Sequence, residues 1–282
     1  MSDHRRFVLV RHGESRTNAT NTFQAGNQFD SDPLTERGAE ATARLAWRLK
    51  DLPVDRVVSS GYLRARRTAA AIADATGAPH AVPVRDGSSW SDLPADDPGI
   101  RDRTSLLREI DLPSELAGLR FDDPRAQEIQ RAALAVADRP DGHFSDEENL
   151  HDLWRRAEEI RRYLEGRSED LVVVVAHGGI LKVWLAHLMF TAVPGLDTPA
   201  QIAAYRGFTR LGWWDNTGLL SLRFSPDQGW LWLMTDIEHL EPEYLSFMPS
   251  RPVPAQPAPD VAAEYLGGTG RGVPDDGGRR EG

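Results

Sequence analysis

Apolar residues fall along the chain in short unbroken runs separated by longer stretches in which apolar and polar positions mix. Phe7-Val8-Leu9-Val10 is a continuous run ending in charge and glycine, which predicts a strand buried on both faces. Residues 34–49 place Leu45, Trp47 and Leu49 among alanines and predict a helix, with Thr35 positioned to cap it. Residues 54–59 predict a second strand, 63–76 an Ala-rich helix closed by Gly77, and 80–84 a third strand. Strand and helix alternating in this way predict an α/β fold. The expected form is a three-layer α/β/α sandwich, its central sheet mostly parallel and its helices on both faces.

Residues 86–103 change to Ser, Asp, Pro and Gly without usable periodicity and predict a long loop. A loop of that length in a compact domain suits a substrate-facing lid, so residues 86–165 are expected to form an insertion over the site. Helical patterns resume over 124–137 and 146–164. The run Leu171-Val172-Val173-Val174-Val175-Ala176 then predicts the most deeply buried strand, followed by a helix from Gly179. Residues 211–214, 219–224 and 230–234 predict further strands, the last two joined by a turn at Asp227-Gln228-Gly229. Antiparallel strands are expected to extend the sheet there.

Composition sharpens this division. Residues 249–282 hold 6 Pro and 7 Gly among 34 residues and too few large apolar side chains to order themselves, so they read as a flexible tail behind one domain, residues 1–248. The 282-residue chain has no cysteine, which removes disulfides, thiolate metal sites and cysteinyl nucleophiles. Its net charge of −10 argues against nucleic acid or an anionic membrane as partner. An anionic substrate would then need a local basic pocket. Of the 33 basic residues 31 are arginine, whose planar fork suits phosphate or carboxylate, although base composition produces the same bias. No signal peptide is visible in the polar start, and the apolar stretch 171–190 is interrupted by His177, Gly178, Gly179, Lys182 and His187. A cytoplasmic protein is expected, with a homodimer left open.

The common phosphate and hydrolase motifs are missing: neither Lys50 nor Lys182 has a Walker context, no Gly-x-Gly-x-x-Gly follows a strand, and no Gly-x-Ser-x-Gly or His-Glu-x-x-His occurs. Asp30-Ser31-Asp32 follows a polar loop, not a strand. What stands out is a pair of similar sites. Arg11-His12-Gly13-Glu14 lies just past the first strand and His177-Gly178-Gly179 just past the Val-rich one, 165 residues away. In an open α/β sheet both places lie at the carboxyl ends of strands, where ligands gather. The helix starting near Gly179 is expected to aim free N–H groups at an anion. Arg11 beside His12 favours an anion over the rival His/His/Glu metal site.

These residues also resemble a known family. Arg11-His12-Gly13-Glu14-Ser15 with Asn18, Leu34-Thr35-Glu36-Arg37-Gly38, the segment from Ser59 through Arg64 to Ala69, Leu107-Arg108-Glu109-Ile110-Asp111, and Val175-Ala176-His177-Gly178-Gly179 occur in the order of the histidine phosphatase superfamily, phosphoglycerate mutase-like branch. The resemblance covers about residues 7–240. It implies His12 as a nucleophile that carries the phosphoryl group, neutral, with one ring nitrogen free and the other donating to a carbonyl. Arg11, Arg64 and His177 would hold phosphoryl oxygens, Asn18 would add a neutral donor, and no metal or other cofactor would be needed. Glu109 matches the proton donor, with Asp111 and Glu115 as rivals, because Leu112-Pro113-Ser114-Glu115 departs from the usual continuation.

The resemblance therefore implies a metal-independent phosphatase acting on a small-molecule phosphomonoester. A phosphoglycerate mutase is the second reading, weakened by the absence of the mutase Arg-His-Tyr run. A catalytically silent phosphate-binding or interaction module is the third, weakened by the joint presence of His12, Arg11, Arg64, Glu109 and His177. Of the remaining histidines, His4, His80, His143, His151 and His187 read as surface or packing, and His239 as structural. Trp213, Trp214, Trp230 and Trp232 read as sheet packing, whereas Trp90 in the polar loop is the one tryptophan placed to stack on a substrate.

Overall fold

In the computed structural model, which describes residues 4–24, 31–208 and 214–236, the Val-rich segment Leu171–Ala176 (β5) is buried along its whole length at the centre of a seven-stranded sheet. Its parallel neighbours are Arg5–Arg11 (β1) on one side and Arg56–Ser59 (β2) on the other. His80–Asp86 (β3) continues the parallel block beyond β2. Leu219–Ser225 (β6) and Gly229–Asp236 (β7) extend the sheet antiparallel beyond β1, and Ser89–Pro94 (β4) closes the other edge against β3.

Successive side chains of a strand point to opposite faces, so a run apolar at every position needs cover on both sides. Phe7, Leu9, Val172 and Val174 pack into one cluster with Leu153, Trp154 and Ile160 of Leu150–Glu165 (α5) and Val183 and Trp184 of Gly178–Thr191 (α6). Val8, Val10, Val173 and Val175 pack into the other, with Leu45 and Leu49 of Glu36–Leu49 (α2) and Ala69 and Ile72 of Leu63–Thr76 (α3). Two helical layers enclosing one sheet are the expected three-layer sandwich. Burying each valine of β5 contributes roughly 1.5–3 kcal/mol, so a charge at Val173 or Val174 would break the fold.

The caps follow from the sequence. Thr35 accepts the Gly38 N–H at 2.9 Å to start α2. Gly77 ends α3 with φ 72°, a conformation that costs glycine no Cβ clash. The helix expected over 146–164 starts only at Leu150, because Asn149 caps it by accepting the N–H groups of His151 and Asp152.

The polar stretch 86–103 is corrected by the structure. It opens with a hairpin, turning at Gly87 (φ 59°), and returns as edge strand β4. An edge strand pairs on one side and tolerates Pro94 and half-exposed polar side chains, so it carries no burial signal. Two further helices escaped the pattern: Arg16–Thr20 (α1), which buries no side chain, and Thr198–Phe208 (α7), beyond the turn that ends α6. A helix over 124–137 is observed as Pro124–Val136 (α4). The apolar stretch 171–190 is divided between β5 and α6, and no helix among the described residues is long and apolar enough to cross a membrane. The expected tail at 249–282, most of the expected strand at 211–214, Trp213 and His239 lie outside the described residues.

Candidate active site

Four neighbouring strands deliver the site. Because β1 and β5 run parallel in register, with Arg11 opposite Ala176, the residues that follow each strand leave the sheet side by side. His12 and His177 therefore meet, their ring centroids 4.9 Å apart in an edge-on arrangement. On the far side of β5, β2 delivers Ser60 and then Arg64 in the first turn of α3. On the far side of β1, the turn before β6 supplies Asn216 and Thr217, whose N–H donates to the Arg11 carbonyl at 2.9 Å.

The His12 ring is 2% exposed and held at both nitrogens. Nδ1 lies 2.7 Å from the carbonyl oxygen of Gly13, an acceptor only, so Nδ1 carries the hydrogen and Nε2 keeps its lone pair. Arg64 Nε donates to that lone pair at 3.1 Å. Burial, followed by the charges of Arg64 and Arg11, holds the imidazole well below its usual range, and the Gly13 bond opposes this. His177 is displaced the same way by burial and then by Arg64, His12 and Arg11. Both rings are thus neutral near pH 7.

The cations around them are set by neighbours. Arg64 also donates to Gln24 at 2.8 Å and forms a buried ion pair with Asp32 at 3.3 Å. Asp32 in turn accepts the Thr17 N–H at 2.9 Å, tying α1 to the arginine. Arg11 reaches the Trp214 carbonyl, and burial, opposed by Glu109 and Asp215, brings its guanidinium down to about 10. Asn18 has its amide oxygen committed to the Ser15 N–H (3.3 Å) and to Asn216 Nδ2 (3.2 Å), which leaves its NH2 as the donating end. Glu14 is bound by Thr35 and Arg37 and so is spoken for. The packing beneath it is tight: a Cβ on Gly38 would lie 2.0 Å from the Glu14 carbonyl oxygen.

A cavity of about 310 Å³ opens beside this cluster, with Arg11, Asn18, Glu109, Gly178, Gly179 and Lys182 in its wall. Of the three carboxylates considered for the proton donor, the structure brings only Glu109 to it. Asp111 pairs with Arg108 at 3.1 Å and faces a separate cavity, and Glu115 accepts from Ser145 on the surface. The N–H groups expected to be free at the start of α6 are corrected: Glu109 takes those of Ile180 (3.0 Å) and Gly179 (3.3 Å). Gly179 has to be glycine for this, since a Cβ there would lie 2.4 Å from Glu109 Oε1.

Some residues of the cluster were missed in the sequence. Gln24, Ser60 and Asn216 are polar residues outside helices and strands, and only their place next to strand ends marks them. Tyr62, which packs edge-on to His177 at 5.2 Å, occupies the residue before α3. Trp214 and Phe121 also line the cavity, and Trp214 does so while packing against the core cluster as expected. Trp90 is corrected as well: it lies on β4 under the Arg85 guanidinium (4.3 Å) and does not line the cleft. Trp230 packs in the core against Phe7 and Trp184, whereas Trp232 is exposed. His80, His143, His151 and His187 contact Ser59, Asp152, Asp138 and Trp154 away from the cleft.

The sequence profile of a family described as Histidine phosphatase superfamily (branch 1) matches residues 7–86 and 101–233. A probable phosphoglycerate mutase, GpmB, of Escherichia coli is 45% identical over 69 residues, which is 24% of this chain. The match spans only 31% of that curated relative's length. Among solved structures, YhfR of Bacillus stearothermophilus shares 20% identity over 84% of this chain and 99% of its own, with a TM-score of 0.59. A mycobacterial glucosyl-3-phosphoglycerate phosphatase complexed with VO3 gives 24%, 83%, 98% and 0.54. A phosphoserine phosphatase of Entamoeba histolytica in complex with 3-phosphoglyceric acid gives 17%, 84%, 99% and 0.55. At these identities the likeness is one of fold.

Proposed function

We propose that this chain, which belongs to the histidine phosphatase superfamily (branch 1), hydrolyses a small-molecule phosphomonoester through a phosphohistidine on His12. The observation that carries the reading is the state of that ring. With Nδ1 bound to the Gly13 carbonyl, Nε2 is an unprotonated nucleophile at the end of a strand, among two arginines and a second histidine. An imidazole that has to be neutral to attack is kept neutral by burial and then by the same cations that would hold the phosphoryl group.

The Nε2 lone pair attacks phosphorus in line, the phosphorus–ester oxygen bond breaks, and the leaving alkoxide takes the proton of Glu109, which enters the step as the carboxylic acid and leaves it as the carboxylate. Arg64, which donates to Nε2 in the structure, turns to a phosphoryl oxygen as the lone pair is used. Arg11, His177 and the Asn18 NH2 meet the remaining oxygens and compensate charge in the transition state. Water then attacks the phosphohistidine, Glu109 accepts its proton, and phosphate leaves with His12 restored. The position of Glu109 in the cleft wall supports this role. The arginines supply the positive charge the reaction needs, so no metal enters the scheme.

The test is phosphate release from an aryl phosphate. Turnover is expected to survive chelator and to fall roughly 10³-fold or more in His12→Ala. Undiminished turnover in that variant would overturn the mechanism, and loss to chelator with rescue by metal would overturn metal independence. Isomerisation of a monophosphoglycerate in the presence of a bisphosphorylated activator, in place of hydrolysis, would replace the reading with a mutase.

A further inference from the structure

Ser60 stands directly past β2, fully buried, its N–H bonded to the Val175 carbonyl at 3.0 Å. Its hydroxyl oxygen accepts the Tyr62 N–H at 3.3 Å and lies 2.8 Å from His177 Nε2. A serine hydroxyl has one proton to give and two lone pairs to fill. Of its two partners the Tyr62 N–H only donates, so the hydroxyl proton has one acceptor, His177 Nε2. Were Nε2 the protonated nitrogen, Ser60 would accept twice and its own buried proton would have no acceptor at all.

The neutral His177 ring carries one hydrogen, which this accounting places on Nδ1. Nδ1 is buried and has no hydrogen-bond partner among the described residues. Its ring sits in contact with His12 and Tyr62, and the standing charges acting on it most are those of Arg64 and Arg11. A phosphomonoester dianion presents only acceptors, so a bare nitrogen there would repel the group that an N–H would bind.

We propose that Ser60 is a positioning residue whose hydroxyl fixes His177 as the Nδ1–H tautomer and so makes its unpartnered nitrogen a donor to a phosphoryl oxygen. The second half rests on the phosphatase reading above; the tautomer itself does not. Tyr62 supports the arrangement twice, by donating its N–H to the hydroxyl and by packing its ring against the imidazole.

The experiment is ¹⁵N spectroscopy of the full chain labelled at histidine, with His177→Gln identifying the His177 signals by their loss. The expected pattern in the unaltered protein is a protonated Nδ1 and a pyridine-like Nε2, and added inorganic phosphate should move the Nδ1 proton downfield. The reverse tautomer would overturn the proposal without any variant having to fold. Ser60→Ala is expected to populate the Nε2–H form and to weaken phosphate binding and aryl phosphate turnover by roughly 10- to 100-fold. Ser60→Thr, which keeps the hydroxyl, should restore the original pattern. An unchanged tautomer in Ser60→Ala would overturn the role given to the hydroxyl. A chain with the expected tautomer and phosphate shift but no hydrolysis would uphold Ser60 and defeat only the phosphatase reading.

Discussion

The carboxylate of Glu109 accepts the backbone N–H of Ile180 at 3.0 Å, in the first turn of the helix that His177 begins. The acid proposed to serve the leaving group and the histidine proposed to hold the phosphoryl group are therefore fixed to one another through a single turn of α6. A second bond from Gly179 N–H, at 3.3 Å, completes the seat. Because an added Cβ at Gly179 would meet Glu109 Oε1 at 2.4 Å, alanine there moves the acid without touching either histidine.

This separates the acid from the nucleophile by leaving group. An aryl oxygen departs without help, whereas an alkyl oxygen needs a proton. Glu109→Gln and Gly179→Ala are expected to lower kcat/KM for alkyl phosphates by roughly 10²- to 10³-fold and for activated aryl phosphates by about tenfold or less. Steady-state rates over a series of leaving groups check this. An equal loss across the series would assign the proton to another group.

Stability should fall as the solution is acidified from neutrality. Burial and then Arg64 hold His12 and His177 well below the usual imidazole range, and burial brings His80 and His187 down to about 4. In the unfolded chain these rings take up protons near pH 6.5. Below that value the unfolded state binds more protons than the folded one, so the contribution is complete above pH 6.5 and is lost as pH drops toward the folded values. Each ring adds about 1.4 kcal/mol per pH unit to the slope in that window. Denaturant midpoints at about pH 7.5 and about pH 5.5 measure it, and His80→Gln should reduce the slope by up to that amount.

Two aromatic residues divide cleft from scaffold. Phe121, 40% exposed and packed edge-on to Phe23 at 4.5 Å, lines the cavity. Phe121→Ala is expected to raise KM several-fold, roughly 1 kcal/mol of contact, with little change in Tm. Trp90 packs against the core beneath Arg85 and does not line the cavity. Trp90→Ala should lower Tm and leave KM unchanged, and a rise in KM would return residues 86–103 to the role of a lid.

How much of this was legible in the chain depended on what kind of force holds each part. Strands β1 and β5 announced themselves because burial on both faces leaves no polar position, and α2 and α3 because Thr35 and Gly77 mark their ends. β4 and α1 stayed hidden because neither has a buried face to create a period. His12, Arg64 and His177 were found from motifs beside those legible strands. Their supports were not: Asp32, set aside for following a polar loop, pairs with Arg64, and Asn216 orients Asn18 from 198 residues away. Single contacts from a loop to a distant helix leave no pattern in a sequence.

The central claim, that the phosphoryl group passes through His12, is tested most directly by mass spectrometry of protein quenched in alkali during turnover of a phosphomonoester. The account predicts one phosphate on Nε2 of His12, the nitrogen left unprotonated by the Gly13 carbonyl 2.7 Å from Nδ1, and none in His12→Ala. A phosphate carried by any other residue, or turnover that continues undiminished in the variant, would contradict it.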